Sequence, residues 1–249
     1  MYIFYLQLTD SFPGVGFPKT GTSSLKNALE ILGYRVYHRE DMYSTVRHSN
    51  IWVDYLEKRD SGATPPFEKL LAGYDAVLEF GEFHKELHEM YPNAKLVLTE
   101  RDAEKWINSI MSHLANMKTL EEHFWIIKML GSYTQSQKVK NMIFIGNDRW
   151  KRALAIAGSN DLRKGLLQLF FSRNALLKSD PNVIVMDSKD GWKNLCAGLK
   201  VDVPNCAYPF RNAANATLHQ TVVKGFVKNV LIVLILPLFG IILAYKAFM

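Results

Sequence analysis

The stretch Gly16-Phe-Pro-Lys-Thr-Gly-Thr-Ser-Ser24 constrains the fold more than any other part of the chain. Residues 12–17 before it are short and apolar, the pattern of a strand, although Pro13 weakens the beginning. After it, Leu25, Ala28, Leu29, Ile31 and Leu32 recur at helical spacing, and Gly33 is placed to stop that helix. A glycine loop between a strand and a helix presents backbone N–H groups and the positive helix end to an anion.

The same alternation continues along the chain. Ala76–Phe80, Lys95–Thr99 and Val183–Asp187 read as strands, each introduced by a turn signal. Helical spacing follows the second of these, over Ala103–Asn116 with Trp106, Ile107, Ile110 and Leu114 on one face, and the third, at about Gly191–Leu199. Strands alternating with helices predict an α/β fold: a three-layer P-loop-type sandwich around a mainly parallel sheet covered on both faces. Residues 117–180 are helical in pattern and carry no catalytic signature.

The loop departs from the GxxxxGK[ST] form of ATPases and GTPases. Gly16 and Gly21 keep the two-glycine frame, but Thr22 stands at the lysine position and Lys19 lies inside the loop. This displacement argues against Mg²⁺-dependent triphosphate hydrolysis and favours a lysine reaching the leaving oxygen of a shorter anhydride. In this the chain resembles the sulfotransferases that use 3′-phosphoadenosine 5′-phosphosulfate (PAPS), whose 5′-phosphosulfate loop is similar to Gly16–Lys26. Their second signature is an arginine at a strand end and a serine eight residues later, and Arg101 and Ser109 have that spacing. On a helix that interval is slightly over two turns, so both side chains are expected near one face.

The resemblance runs from about Gly14 to Asn212 and extends to Leu25–Leu32, Tyr91–Lys95, and Asp190–Cys196 continuing to Val203-Pro204. It is closest to a small branch found in flukes, fungi and other eukaryotes, which includes a fluke enzyme that activates oxamniquine. It implies PAPS as co-substrate, 3′,5′-adenosine bisphosphate as product, no metal, and a hydroxyl or amine of a small-molecule acceptor as the target. Pro18, Lys19, Thr20, Gly21, Thr22, Ser23 and Ser24 would hold the 5′-phosphosulfate, and Arg101 and Ser109 the 3′-phosphate. Lys19 would stabilise the leaving oxygen. The base matches Glu79, where the branch carries an aspartate commonly followed by proline, and His84 is the reserve candidate. His38 matches a Tyr-His-Met stretch that lines the acceptor side, with Arg39 in place of the methionine. Trp192 is expected to anchor its helix in the core. Two other readings stay open: a nucleotide-binding protein of this fold that has lost turnover, and a P-loop nucleotide kinase.

Thirty Lys and Arg against 24 Asp and Glu leave a net charge of +6, without the basic stripe and interleaved aromatics of a nucleic-acid binder. Cys196 and Cys206 are too far apart for a CxxC pair and lack a His cluster, so they are expected as idle thiols. The apolar start, Met1–Leu8, lacks a basic flank and a cleavage site and does not read as a signal peptide. From Asn229 to Tyr245 the chain is uncharged, with Lys224 and Lys228 before it and Lys246 after it. About 17–25 such residues span a bilayer core. The expected organisation is a catalytic domain at 1–212, a linker at 213–228 and a transmembrane helix at 229–246. This is a tail anchor in the lipid bilayer, with the domain facing the cytosol.

Overall fold

The computed structural model describes residues 12–14, 17–158, 161–181 and 183–210. Strand β1 (Phe12–Gly14) leads to helix α1 (Thr22–Ile31), β2 (Val36–His38), α2 (Val46–Lys58), α3 (Phe67–Leu70) and β3 (Ala76–Leu78). Then come α4 (His84–Met90), β4 (Leu96–Glu100) and a helical excursion of α5 (Ala103–Glu122), α6 (Phe124–Leu130), α7 (Tyr133–Ala157) and α8 (Leu162–Lys178). β5 (Val183–Asp187) and α9 (Trp192–Leu199) complete the described elements. The expected α/β class is present, and β2 is an additional strand that the sequence signals do not mark. The expected membrane helix at 229–246 lies outside the described residues; among these, no helix is long and apolar enough to cross a membrane.

The five strands form one parallel sheet in the order β2-β3-β1-β4-β5. Successive side chains of a strand point to opposite faces, and here both faces are buried. On one face Val36, Ala76, Leu78, Val97 and Met186 pack with Leu25, Ala28 and Leu29 of α1 and with Trp192, Leu195 and Leu199 of α9. On the other, Tyr37 and Val77 meet Trp52, Tyr55 and Phe67 of α2 and α3, while Leu96 and Leu98 meet Leu177 of α8. The strand order accounts for this division. From β1 the chain steps past β3 to β2, then returns and runs the other way to β4 and β5, so right-handed crossovers put α1 opposite the helices that connect β2 to β5. Leu29 is fully buried, and removing such a side chain from water contributes about 1.5–3 kcal/mol.

Helix α1 ends as its sequence signals require. Gly33 has φ +92°, and the N–H groups of Gly33 and Tyr34 return to the carbonyls of Glu30 and Leu29, satisfying two end carbonyls with a residue free to be left-handed. Trp192 is buried at the start of α9, its indole N–H donating to the Cys206 carbonyl at 2.8 Å, in keeping with a core anchor. Cys196 is a free buried thiol and Cys206 a free exposed one.

Candidate active site

Reversal of strand order beside β1 opens the crevice where parallel α/β sheets bind ligands, at the carboxyl ends of the strands. The loop into α1 lies at that end, next to the C-termini of β3 and β4. Its backbone is held by three successive carbonyls. The Phe17 carbonyl accepts from the Thr20 hydroxyl at 2.6 Å, that of Pro18 from the Trp106 indole at 3.0 Å, and that of Lys19 from Arg101 Nη1 at 2.7 Å. In a trans peptide C=O and N–H point in opposite directions. Fixing the Pro18 and Lys19 carbonyls on α5 and its approach therefore turns the N–H groups of Lys19 and Thr20 the other way. Phe17 packs on Trp106 and Phe170, with ring centroids 5.3 and 5.6 Å away, tying the loop to α5 and α8.

Two residues of this loop are left-handed. Lys19 has φ +68°, and Gly21, the N-cap of α1, has φ +100° and supplies no side-chain cap. The first turn of α1 carries no acidic residue. An uncapped helix N-terminus with a half-buried lysine beside it is suited to an anion. The hydroxyls divide their work. Thr20 is buried and also shares a hydrogen bond of 2.5 Å with Thr99 of β4, so it ties the loop to the sheet. Thr22 is buried and donates to Glu79 Oε1, Ser23 is half-buried and Ser24 is buried.

Arg101 and Ser109 are arranged differently from the helical-pitch expectation. Asp102 caps α5 by accepting from the Lys105 N–H at 2.9 Å, which leaves Arg101 outside the helix, exposed, and bonded to the loop. Ser109 sits half-buried in the second turn of α5. The strand-to-helix turn places the arginine, and helical spacing does not apply to it.

Glu79 follows β3 directly. It has φ +70°, a conformation costing a non-glycine residue about 1–3 kcal/mol, and its carboxylate is buried. Both contacts of that carboxylate fall on Oε1, from the Thr22 hydroxyl and from His38 Nε2 at 3.5 Å. The Glu40 N–H donates to His38 Nδ1 at 3.3 Å, which assigns the ring proton to Nε2 on the Glu79 side. Burial alone would raise the Glu79 carboxyl. His38, Arg149 and the Thr22 hydroxyl outweigh it and hold the group well below the usual carboxylate range. Burial likewise opposes a charged His38, and the facing Glu79 carboxylate overcomes it and raises His38.

The backbone carbonyl of Glu79 accepts from Nε and Nη2 of Arg39, which also pairs with Glu82. Arg149 Nε lies 3.6 Å from the same Glu82 carboxylate. His113 of α5 joins the cluster: burial, Lys19 and Arg149 lower it to about 4, against the opposing Glu79. His84 opens α4, five positions beyond Glu79 in sequence. The structure thus brings together Lys19, Thr22, His38, Arg39 and Glu79, all singled out in the sequence, and adds His113, Arg149 and Arg173. The additions come from α5, α7 and α8; His113, four residues beyond Ser109 on one helix, was the only one with a local signal.

Comparison with known proteins gives the family. Residues 14–217 match the family described as "Sulfotransferase domain". The chain is similar to Ava biosynthesis cluster protein M of Aspergillus versicolor, with 25% identity over 212 residues and 78% of each chain covered. With the match spanning most of the sequence and the loop, the sheet and the buried carboxylate meeting at one crevice, the chain belongs to the sulfotransferase domain family.

Proposed function

We propose that the protein moves the sulfuryl group of PAPS to a hydroxyl or amine of a small-molecule acceptor. The observation that carries this reading is the hydrogen bond from Thr22 to Glu79, which joins the anion-binding loop to a buried carboxylate. The residues fit the donor. The uncapped N-terminus of α1 and the Lys19 and Thr20 N–H groups suit the 5′-phosphate, and Arg101 with Ser109 suits the 3′-phosphate. Bound there, PAPS would supply a sulfuryl group on a phosphate oxygen.

The chain's own residues then divide the chemistry. Glu79 takes the acceptor's proton as the acceptor oxygen or nitrogen bonds to sulfur. Oε2 is the oxygen for this, because Thr22 and His38 both address Oε1. Lys19 places its ammonium on the phosphate oxygen that receives the electron pair of the breaking S–O bond. A second reading, nucleotide binding without transfer, draws on the same carboxylate. A group held so far below the usual range is a weak base.

Purified full-length protein should bind 3′,5′-adenosine bisphosphate in calorimetry and transfer sulfate to a member of a panel of phenols, alcohols and amines. Lys19→Ala should abolish transfer, and unchanged turnover would overturn the mechanism. Binding without transfer to any acceptor would favour the second reading, and ATP consumption with Mg²⁺ would favour a kinase. The apolar run at 229–246 is proposed to tether the domain to a bilayer on its cytosolic side. Release of the full chain from membranes by alkaline carbonate would refute that tether.

A further inference from the structure

Helix α6 turns one face to the core and leaves the opposite face open. Ile127 is buried and packs, with half-buried Phe124, against Met117 of α5 and Val139, Met142 and Ile143 of α7. Trp125 and Met129 stand two residues before and after Ile127, which at 3.6 residues per turn points both to the far side of the helix. They are 61% and 64% exposed, and Tyr133, the first residue of α7, is 82% exposed. The link between the two helices is short. The Ile127 carbonyl accepts from the Gly131 N–H at 2.8 Å and from the Ser136 hydroxyl at 3.0 Å, which keeps Tyr133 beside the end of α6. Lys128 is exposed on the same helix. The two acids that precede the patch are engaged, Glu121 with the Asn147 amide at 3.2 Å and Glu122 with Lys118 at 3.9 Å.

Single exposed apolar side chains are ordinary on a protein surface, whereas a tryptophan, a methionine and a tyrosine gathered on one helix face and its end mark a contact. The rest of the chain indicates the partner. From Asn229 to Tyr245 it is uncharged and apolar, and only residues 211–228 separate that run from Phe210, the last described residue. The intervening chain spans at most roughly 65 Å when fully extended. A bilayer that takes up the run is therefore within reach of the domain, and a tether of that length raises the effective concentration of its surface. Trp and Tyr combine an apolar body with a polar tip, which suits the boundary between headgroups and acyl chains. A neighbouring lysine adds attraction to anionic lipid. Under α6, Tyr43 joins the same apolar cluster and lies in the field of Glu79 and Arg149, so this side of the molecule borders the crevice.

We propose that the exposed face of α6, with Tyr133 beside it, docks the domain on the headgroup layer of a lipid bilayer. This inference rests on the proposed tether for the nearness of the bilayer and on the open face of α6 for the contact.

The test uses full-length protein reconstituted into vesicles of phosphatidylcholine and phosphatidylserine, prepared with ordinary or with acyl-brominated phosphatidylcholine. Bromine quenches a tryptophan that reaches the acyl boundary, whereas Trp52, Trp106 and Trp192 are buried in the domain and form the background. The part of the emission that Trp125→Phe removes should fall at least twofold in brominated vesicles. Met129→Asp, which sets a charge on the face, should restore most of it; both positions are exposed, so neither substitution opens the core. The proposal is overturned if the two kinds of vesicle give the same Trp125 emission, if Trp125→Phe keeps the quenching, or if Met129→Asp leaves it unchanged. It is overturned too if Trp125 is shielded from iodide yet untouched by bromine, the result of a second copy or another segment of the chain seated on the face. Alkaline carbonate reads the tether separately. Retention without quenching of Trp125 keeps the tether and defeats the docking face, whereas quenching with release by carbonate supports the docking face and defeats the tether.

Discussion

Arg39 donates from both Nε and Nη2 to the backbone carbonyl of Glu79, a residue 40 positions away in sequence. The two residues are the departures that most separate this chain from the Tyr-His-Met and Asp-Pro pattern it resembles, and they are in contact. Proline would restrict the backbone of its dipeptide by itself. Here the guanidinium holds a left-handed glutamate from outside, while Phe80 beneath it, 4.7 Å from the Arg39 guanidinium carbon, supports the planar group.

Arg39→Lys should therefore damage the site although it keeps the charge, because an ammonium cannot reproduce the two-pronged bond. We expect kcat to fall at least tenfold with adenosine bisphosphate affinity unchanged. Arg39→Met should in addition destabilise the fold by about 1–3 kcal/mol, the usual cost of leaving a buried acceptor, here the Glu79 carbonyl, without its donors. Denaturant unfolding of both variants measures this, and a wild-type midpoint and kcat for both would remove Arg39 from the account.

The identity of the base is tested by two substitutions. Glu79→Gln keeps the size and the Thr22 contact but cannot take a proton, and should lower kcat by about 10²–10⁴-fold, the range of a lost general base. His84→Gln should leave kcat within a factor of three. The opposite result in single-turnover kinetics would move the role from β3 to α4.

Two histidines should make stability depend on pH in opposite senses. His38 is raised above its ordinary 6.5 because Glu79 outweighs burial, so its contribution is full below pH 6.5 and is lost as pH rises through the folded value. His113 is lowered from 6.5 to about 4 by burial, Lys19 and Arg149. The unfolded chain therefore takes up a proton first, and stability falls between pH 6.5 and 4 by at most about 3 kcal/mol. Melting curves from pH 4 to 9 should show His113→Gln flattening the acid side and His38→Gln the alkaline side. Curves parallel to wild type would contradict both assignments.

Thr20 serves the loop's shape. Thr20→Val removes the bonds to the Phe17 carbonyl and to Thr99 and leaves buried polar atoms unpaired, a loss of about 1–3 kcal/mol for each orphaned group. Thermal unfolding should show that loss, and adenosine bisphosphate should bind less tightly because the Lys19 and Thr20 N–H groups are no longer held in place. Unaltered affinity would show that the loop keeps its form without this hydroxyl.

Much of the framework is legible residue by residue. Val183–Asp187 is recovered in full as a strand, and Ala103, Trp106, Ile107 and Ile110 announce α5, because strand and helix periods are local properties of consecutive side chains. β2 escapes notice since Val36–His38 passes at once into the charged Arg39-Glu40-Asp41, whereas the equally short β3 lies in a longer stretch behind the turn signal Gly73-Tyr74-Asp75. The eight-residue spacing of Arg101 and Ser109 is visible in sequence, but the cap at Asp102 breaks the helical reasoning attached to it.

The sequence by itself determined where the glycine loop lies, since Lys19, Gly21 and the start of α1 are neighbours in the chain, while Trp106, Arg101 and Thr99 hold it from distant segments. Tertiary structure decided what faces that loop. The strand order β2-β3-β1-β4-β5 sets Glu79 against Thr22 across 57 positions of sequence. The packing of α7 and α8 supplies Arg149 and Arg173 from a region without any motif. Hydrophobic burial brings such distant segments together, and it depends on how whole faces of the sheet and helices fit, which no short stretch of sequence encodes.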